Sequence, residues 1–171
     1  MEVRTGKTLT SLGIAEKIGA TQVLFITKKK AIGSIESDYA MLNPPYEMTV
    51  INYDSLHNVM HSKSWDLVIC DEAHGLGAFP KANNRAKLVH SLIKKYNCKV
   101  ILLSGTPTPE SYSQMYHQVY GIKGNPFAKY VNFYRFADDY VRVTHKKMNS
   151  MMVNDYSDGS ENIIREMSPY T

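Results

Sequence analysis

Short apolar runs separated by amphipathic stretches dominate the first two thirds of the chain. Four of these runs predict β-strands, at residues 22–27, 48–53, 65–70 and 99–103. Three of them are continuous β-branched and aliphatic runs, not alternating ones, which is typical of strands covered on both faces. Their length of five or six residues also favours strands over helices.

Helical periodicity appears between these runs. It predicts helices over residues 7–18, 84–96 and 110–120. In the first of them, apolar residues three apart define one face, made of Leu9, Leu12, Ala15 and Ile18. Strands that alternate with helices predict an α/β fold with a mainly parallel sheet and helices on both faces.

The pattern changes near Gly121, where a turn-rich segment is followed by aromatic and then polar residues. We expect one domain over residues 1–125 and an extension over 126–171, either packed on that domain or leading to another one. The aromatic positions at the start of the extension are interpreted as a packing cluster in preference to a base-stacking platform: Tyr130, Phe133, Tyr134 and Phe136.

Composition narrows the class of protein. The chain has 171 residues, of which 43% are hydrophobic and 21% charged, as expected of one ordinary folded domain. Cys70 and Cys98 lie in or beside apolar runs, which is typical of a reduced, intracellular protein. No run approaches the roughly 20 apolar residues of a membrane span, so we expect no membrane partner. The net charge of +4 permits a polyanionic partner without establishing one.

Residues 4–8, RTGKT, match the second half of the phosphate-loop pattern G-x-x-x-x-G-K-[ST]. The first glycine of that pattern would fall on Met1, so the first half fails. A small residue before a helix lets backbone N–H groups approach phosphate oxygens, and the helix dipole favours the negative charge. The alternative is an ordinary helix start capped by Thr5.

A more specific signal is DEAH, at residues 71–74, which follows a buried run. Two adjacent carboxylates at the end of a strand would lie at the sheet edge where open α/β sheets bind ligands. Asp71 can hold Mg²⁺, and Glu72 can polarise an attacking water. His74 could bind a metal, but we favour a hydrogen-bonding link to the next motif.

That next motif is SGTP, at residues 104–107, and it also follows a strand-like run. The hydroxyls of Ser104 and Thr106 could bond to His74, to Glu72 or to a γ-phosphate. Taken alone, the segment is an ordinary strand-to-helix turn. Its position after DEAH favours the functional interpretation.

RTGKT, DEAH and SGTP, in this order and spacing, resemble the N-terminal RecA-like domain of superfamily 2 helicases and translocases. The nearest types are the Swi/Snf-like and phage-type DEAH-box ATPases, and the resemblance covers residues 1–140. It implies a RecA-like P-loop NTPase fold that uses ATP and Mg²⁺. The ATP-binding positions it implies are Arg4, Thr5, Gly6, Lys7 and Thr8.

The same resemblance implies roles for the later motifs. Glu72 would be the catalytic base, acting with Lys7 and Asp71. Thr8 and Asp71 would hold Mg²⁺. His74, Ser104 and Thr106 would couple the nucleotide state to the binding of nucleic acid.

Two departures from the family pattern lead to further expectations. The strand that normally precedes the phosphate loop, and the second RecA-like lobe that supplies an arginine finger, have no counterpart in this sequence. We therefore expect a lobe truncated at both ends, which joins a second lobe in a longer protein. An arginine finger is worth about 10³–10⁵ in rate, so the isolated chain would hydrolyse ATP weakly or not at all.

Nucleic-acid contacts are expected just after the first two strands. Lys28, Lys29 and Lys30 could contact phosphates, and the alternative is a solvated loop. Asn52 and Tyr53 could bond to the sugar-phosphate backbone, although Asp54 or Ser55 could equally cap the next helix there.

The sequence thus predicts the ATP-binding lobe of a nucleic-acid-dependent ATPase, a DNA helicase or translocase with RNA as a possible substrate. It would work in the cytoplasm of a bacterial host or in a nucleus. The alternative is a nucleotide- or nucleic-acid-binding module without turnover. A small phosphoryl-transfer kinase would share the phosphate loop, but DEAH followed by SGTP argues against it.

Overall fold

The computed structural model describes residues 6–171, which form two compact units. The first unit holds the described residues up to Glu72 together with Ser91–Gly105. The second holds Ala73–His90 and Thr106–Thr171. The chain therefore passes between the units within one helix and within each of the two later motifs, after Glu72 and after Gly105.

Helices and strands alternate as far as residue 103, with a 3₁₀ helix (Tyr53–Asn58) between the second and third strands. The helices are α1 (Lys7–Lys17), α2 (Ile32–Leu42), α3 (Asn84–Tyr96), α4 (Met115–Val119), α5 (Phe133–Tyr140) and α6 (Asn162–Met167). The strands are β1 (Gln22–Thr27), β2 (Glu47–Asn52), β3 (Leu67–Asp71), β4 (Lys99–Leu103), β5 (Thr144–Met148) and β6 (Met151–Asp155). No helix within residues 6–171 is long and apolar enough to cross a membrane.

The first unit is built on a parallel sheet. Within the described residues its order is β2-β1-β3-β4, and each neighbouring pair is parallel. This confirms the predicted α/β class. The third strand begins at Leu67 and not at residue 65, and just before it the Asp66 carboxylate accepts hydrogen bonds from Thr21 and from the backbone of Gln22. Asp66 thus joins the starts of β1 and β3.

Both faces of this sheet are buried. One face packs against α1 and α2, and its core consists of Leu12, Ala15, Val23, Phe25, Ile35, Tyr46, Leu67 and Ile69. The alternate positions of β1 and β3, such as Leu24, Ile26 and Val68, are also fully buried. The uninterrupted apolar runs thus arise because neither face of the central strands meets water.

The predicted apolar face of α1 was partly wrong. Leu12 and Ala15 are buried as expected, but Leu9 is 40% exposed and Ile18 is 37% exposed. Ser11 takes a buried place instead, since its hydroxyl donates to the carbonyl of Thr8 at 2.7 Å and so satisfies itself within the helix.

The second unit has an aromatic core. Its packed rings are those of Tyr116, Phe127, Tyr130, Phe133, Phe136 and Tyr140. The predicted helix over 110–120 is a 3₁₀ turn (Tyr112–Gln114) followed by α4, because Ser111 and Gln114 form a capping box that starts the helix later. The hairpin of β5 and β6 was not predicted.

Candidate nucleotide site

The predicted site residues of the first unit follow the carboxyl ends of its parallel strands. Lys28 follows β1, Tyr53 follows β2, Glu72 follows β3 and Ser104 follows β4. Asp71 pairs with Leu103 in the sheet, so the acidic motif and SGTP leave neighbouring strands at the same level. This edge is where open parallel sheets bind ligands.

Helix α1 begins at the predicted phosphate loop. Gly6 caps it with φ of 43°, a left-handed conformation that favours glycine. The carbonyl of Gly6 accepts the first helical hydrogen bond from Thr10 N at 2.7 Å. Lys7 and Thr8 therefore lie in the first turn, beside backbone N–H groups that have no helical partner. Arg4 and Thr5 lie outside the described residues.

Lys7 extends toward the end of β4. A Cβ atom placed on Gly105 would lie 3.4 Å from the Lys7 ammonium, so a glycine leaves room for it. A cavity of about 420 Å³ lies beside these groups, a size typical of small-molecule sites. Its lining residues are Gly6, Lys7, Thr10, Ser11, Ile14 and Leu103.

Asp71 is held by contacts from the end of β1 and from the first residue after β2. Thr27 is fully buried at the end of β1, and its hydroxyl donates to Asp71 Oδ2 at 2.8 Å. The hydroxyl of Tyr53 donates to the carbonyl of Asp71 at 2.7 Å. Asp71 as a residue is half-buried, and the bond from Thr27 fixes its Oδ2 atom.

Glu72 lies directly after β3 with φ of 53°. This left-handed region is uncommon for a residue with a side chain, and such strain is concentrated at functional sites. The conformation turns the chain sharply at the edge of the sheet. Glu72 is half-buried and has at least one interacting partner.

The predicted coupling residues are divided between the units. Ser104 belongs to the first unit, whereas His74 and Thr106 belong to the second. His74 and Ser104 are half-buried, Thr106 is exposed, and all three have interacting partners. The predicted bonds among them remain predictions.

No group of three or more His, Cys, Asp or Glu side chains within residues 6–171 could hold a metal ion. Mg²⁺ bound with a nucleotide needs no such group, because phosphates and water supply most of its ligands beside one or two protein oxygens. The hydroxyl of Thr8 and the carboxylate of Asp71 are hard oxygen donors of the kind Mg²⁺ prefers. The residues thus fit that ion as a companion of the nucleotide.

The predicted nucleic-acid residues differ in exposure. Lys28, Lys29 and Lys30 are all exposed, in and before a 3₁₀ turn. Asn52 caps the 3₁₀ helix Tyr53–Asn58, since its Oδ1 accepts from Ser55 N at 3.0 Å, so the cap is neither Asp54 nor Ser55. Tyr53 is 6% exposed and uses its hydroxyl on Asp71, which makes it a positioning group in this structure.

Sequence reasoning did not identify Thr27 and Gly105 as site residues. The signal for Thr27 was present, since it is the polar residue that ends the apolar run QVLFIT. Gly105 is part of the SGTP motif, but the approach of the Lys7 ammonium to it depends on tertiary structure and has no signal in the sequence.

Comparison with known proteins gives a family match and one distant relative. Residues 6–168 match the model of the SNF2-related domain. Over 140 residues, or 80% of the chain, it is 24% identical to a probable ATP-dependent helicase of Plasmodium falciparum (isolate 3D7). The chain spans only 6% of the length of that protein.

The fold is a parallel α/β sheet flanked by helices, which is consistent with a domain of this kind. The family match extends over nearly the whole chain, so this chain belongs to the SNF2-related domain family.

Proposed function

We propose that this chain is the ATP-binding lobe of a nucleic-acid-dependent ATPase, which couples ATP hydrolysis to movement along DNA, with RNA as a second possible track. The observation that supports this best is the approach of the Lys7 ammonium to Gly105 at the end of β4. That approach brings the phosphate-loop lysine to the strand beside the one that carries Asp71 and Glu72.

In the proposed reaction, the first turn of α1 binds the phosphates through backbone N–H groups and Lys7. Thr8 and Asp71 would hold Mg²⁺, which offsets phosphate charge when bound. Glu72 would orient a water and accept its proton as the water oxygen bonds to the γ-phosphorus. The bond from that phosphorus to the bridging oxygen then breaks, leaving ADP and phosphate.

ATP binding is tested with Lys7→Ala, with Lys17→Ala in the last turn of the same helix as the matched control. A hydrogen bond to a charged group is worth about 1.5–3 kcal/mol, so Lys7→Ala should weaken ATP binding about 10- to 100-fold. Lys17→Ala should bind like the unmodified chain. Equal affinities in the two variants would refute the phosphate loop.

Turnover is tested with Glu72→Gln in the chain joined to a second RecA-like lobe. Phosphate release should fall about 10²–10⁴-fold while ATP still binds, because only the proton acceptor is lost. Glu36→Gln, at an exposed position of α2, is the control. If the joined protein binds ATP but releases no phosphate even before substitution, the alternative of a binding module without turnover holds.

Nucleic-acid contact is tested by neutralising Lys29 and Lys30. Each lost phosphate contact should lower the salt dependence of binding, log K against log salt, by about 0.7–0.9. The control is the exposed pair Lys87 and Lys94 on α3, which removes the same charge elsewhere. If neutralising either pair lowers the salt dependence equally, Lys29 and Lys30 make no specific contact with nucleic-acid phosphates.

A further inference from the structure

Two buried glutamines lie one helical turn apart in the second unit. Gln114 ends the 3₁₀ turn and is 6% exposed, and Gln118 lies in α4 and is 4% exposed. Buried side-chain amides must find hydrogen-bond partners, and their partners report what they hold in place.

Both amides hold the segment that directly follows SGT. Gln118 Nε2 donates to the carbonyl of Pro107 at 2.6 Å and to that of Gln114 at 3.3 Å. Gln114 Oε1 accepts from the N–H groups of Glu110 at 3.0 Å and Ser111 at 3.4 Å. The path of residues 107–111 is therefore set by these two side chains.

The turn that follows DEAH packs on the same two glutamines. A Cβ atom on Gly77 would lie 2.7 Å from Gln114 O and 3.0 Å from Gln118 Nε2, closer than a side chain can approach. The N–H of Gly77 donates to the carbonyl of His74 at 3.0 Å, which closes the turn. This turn thus contacts the glutamines through a bare backbone.

We propose that Gln114 and Gln118 are positioning residues that connect the turn after DEAH to the segment after SGT, so that a displacement of one is transmitted to the other. Ala73 follows Glu72 in the chain, and Thr106 follows Ser104 and Gly105, so the connected segments are covalent continuations of both motifs. This inference rests on the proposed function, because it concerns how the state of that site is passed on.

Amide hydrogen exchange tests the connection without any activity. Gly77→Ala should push the two glutamines away and raise exchange of the Glu110 amide, whose acceptor is Gln114, about tenfold. Gly75→Ala is the matched control, because a Cβ atom there meets nothing within 4 Å. Equal Glu110 exchange in the two variants would overturn the proposal.

Gln118→Met tests the reverse direction and remains informative if Gly77→Ala fails to fold. It keeps the length of the side chain and removes the donor to Pro107, and it should speed exchange of the Gly77 amide. Unchanged Gly77 exchange would overturn the proposal.

The functional consequence is measured in the chain joined to a second RecA-like lobe. Gln118→Met should lower nucleic-acid-stimulated kcat about tenfold, with KM for ATP altered less than about twofold, since the phosphate loop is untouched. If kcat falls and KM for ATP rises by similar factors, the substitution disrupts the domain generally, which would contradict a positioning role. If the unsubstituted joined protein shows no stimulation, the proposed function fails, and the exchange measurements still decide the connection.

Discussion

The two units differ in what fills their cores and in how they hold residues in place. The first unit buries aliphatic side chains of a parallel sheet, and its candidate site residues follow the ends of rigid strands. The second buries aromatic rings, histidines and glutamines, and it fixes its turns through directional hydrogen bonds. The first unit thus places its candidate site residues at the ends of paired strands, and the second holds its turns by side-chain hydrogen bonds.

The largest effect is expected from Phe136→Ala in the second unit. Phe136 is fully buried and contacts the rings of Tyr116, Phe127, Tyr130, Phe133 and Tyr140. Removing a buried ring costs about 3–5 kcal/mol, which urea denaturation measures.

Tyr134→Ala, at a 45% exposed ring, is the control and should cost less than about 1 kcal/mol. In Phe136→Ala, the amides of β1 and β3 should keep their protection from exchange if the units unfold separately. Equal loss of protection in both units would abolish the distinction between them.

A smaller, graded effect is expected from acid, again in the second unit. Burial lowers the pKa of both His90 and His117 below the usual 6.5. Their rings stack, and His117 Nε2 lies 3.0 Å from the carbonyl of Pro80. His117 Nδ1 is buried without a hydrogen-bond partner among the residues the structure describes, so a proton there would be poorly stabilised.

The unfolded chain binds protons at these histidines before the folded chain does. Stability contributed by their neutral forms is therefore complete above about pH 6.5 and falls as the pH drops below it. The urea midpoint should decrease from about pH 7.5 to 5.5, and His117→Phe should shrink that decrease. His57→Asn, at an exposed position, serves as the control. If it reduces the acid-induced decrease in urea midpoint as much as His117→Phe does, the decrease is not due to His117.

In the first unit, Thr27→Val should cost about 1 kcal/mol, because it keeps the shape and removes the hydrogen bond to Asp71. Thr49→Val, at a half-buried position of β2, is the control, and urea denaturation compares the two. If the two substitutions cost the same, the hydroxyl of Thr27 has no special part in holding Asp71.

The smallest effect is expected at the tip of the β5–β6 hairpin. Asn149 and Ser150 both have positive φ, of 46° and 68°, as in the two-residue turns that favour Asn-Gly. Ser150→Gly should stabilise the hairpin by a few tenths of a kcal/mol, seen as slower exchange of its amides. Ser34→Gly within α2 is the control and should destabilise the protein by about 0.5–1 kcal/mol. If it stabilises the protein instead, the effect of Ser150→Gly is not specific to the turn.

The same contrast explains what the sequence could predict. Strands β1 and β4 and helix α3 have the predicted bounds, because long apolar or amphipathic periods dominate those segments. The order of motifs after parallel strands was also enough to gather Glu72 and Ser104 at one edge of the sheet. These features depend on local pattern and a general rule of topology.

What the sequence did not predict depends on distant contacts. Gln114 and Gln118 would be surface residues by composition, but they are buried where Gly77 and residues 107–111 contact them. The hairpin was missed because β5 is exposed throughout and shows no apolar alternation. The bond between Thr27 and Asp71 joins residues 44 apart, so no spacing rule finds it.

The central claim is that the first unit contains the site of ATP hydrolysis and that nucleic acid stimulates this hydrolysis. One assay tests it most directly. Phosphate release is measured with and without DNA or RNA for the chain joined to a second RecA-like lobe, before and after Glu72→Gln. We expect nucleic acid to stimulate release, and Glu72→Gln to abolish it while ATP binding persists. Stimulated release that survives Glu72→Gln, or no stimulation in the unsubstituted protein, would contradict the account.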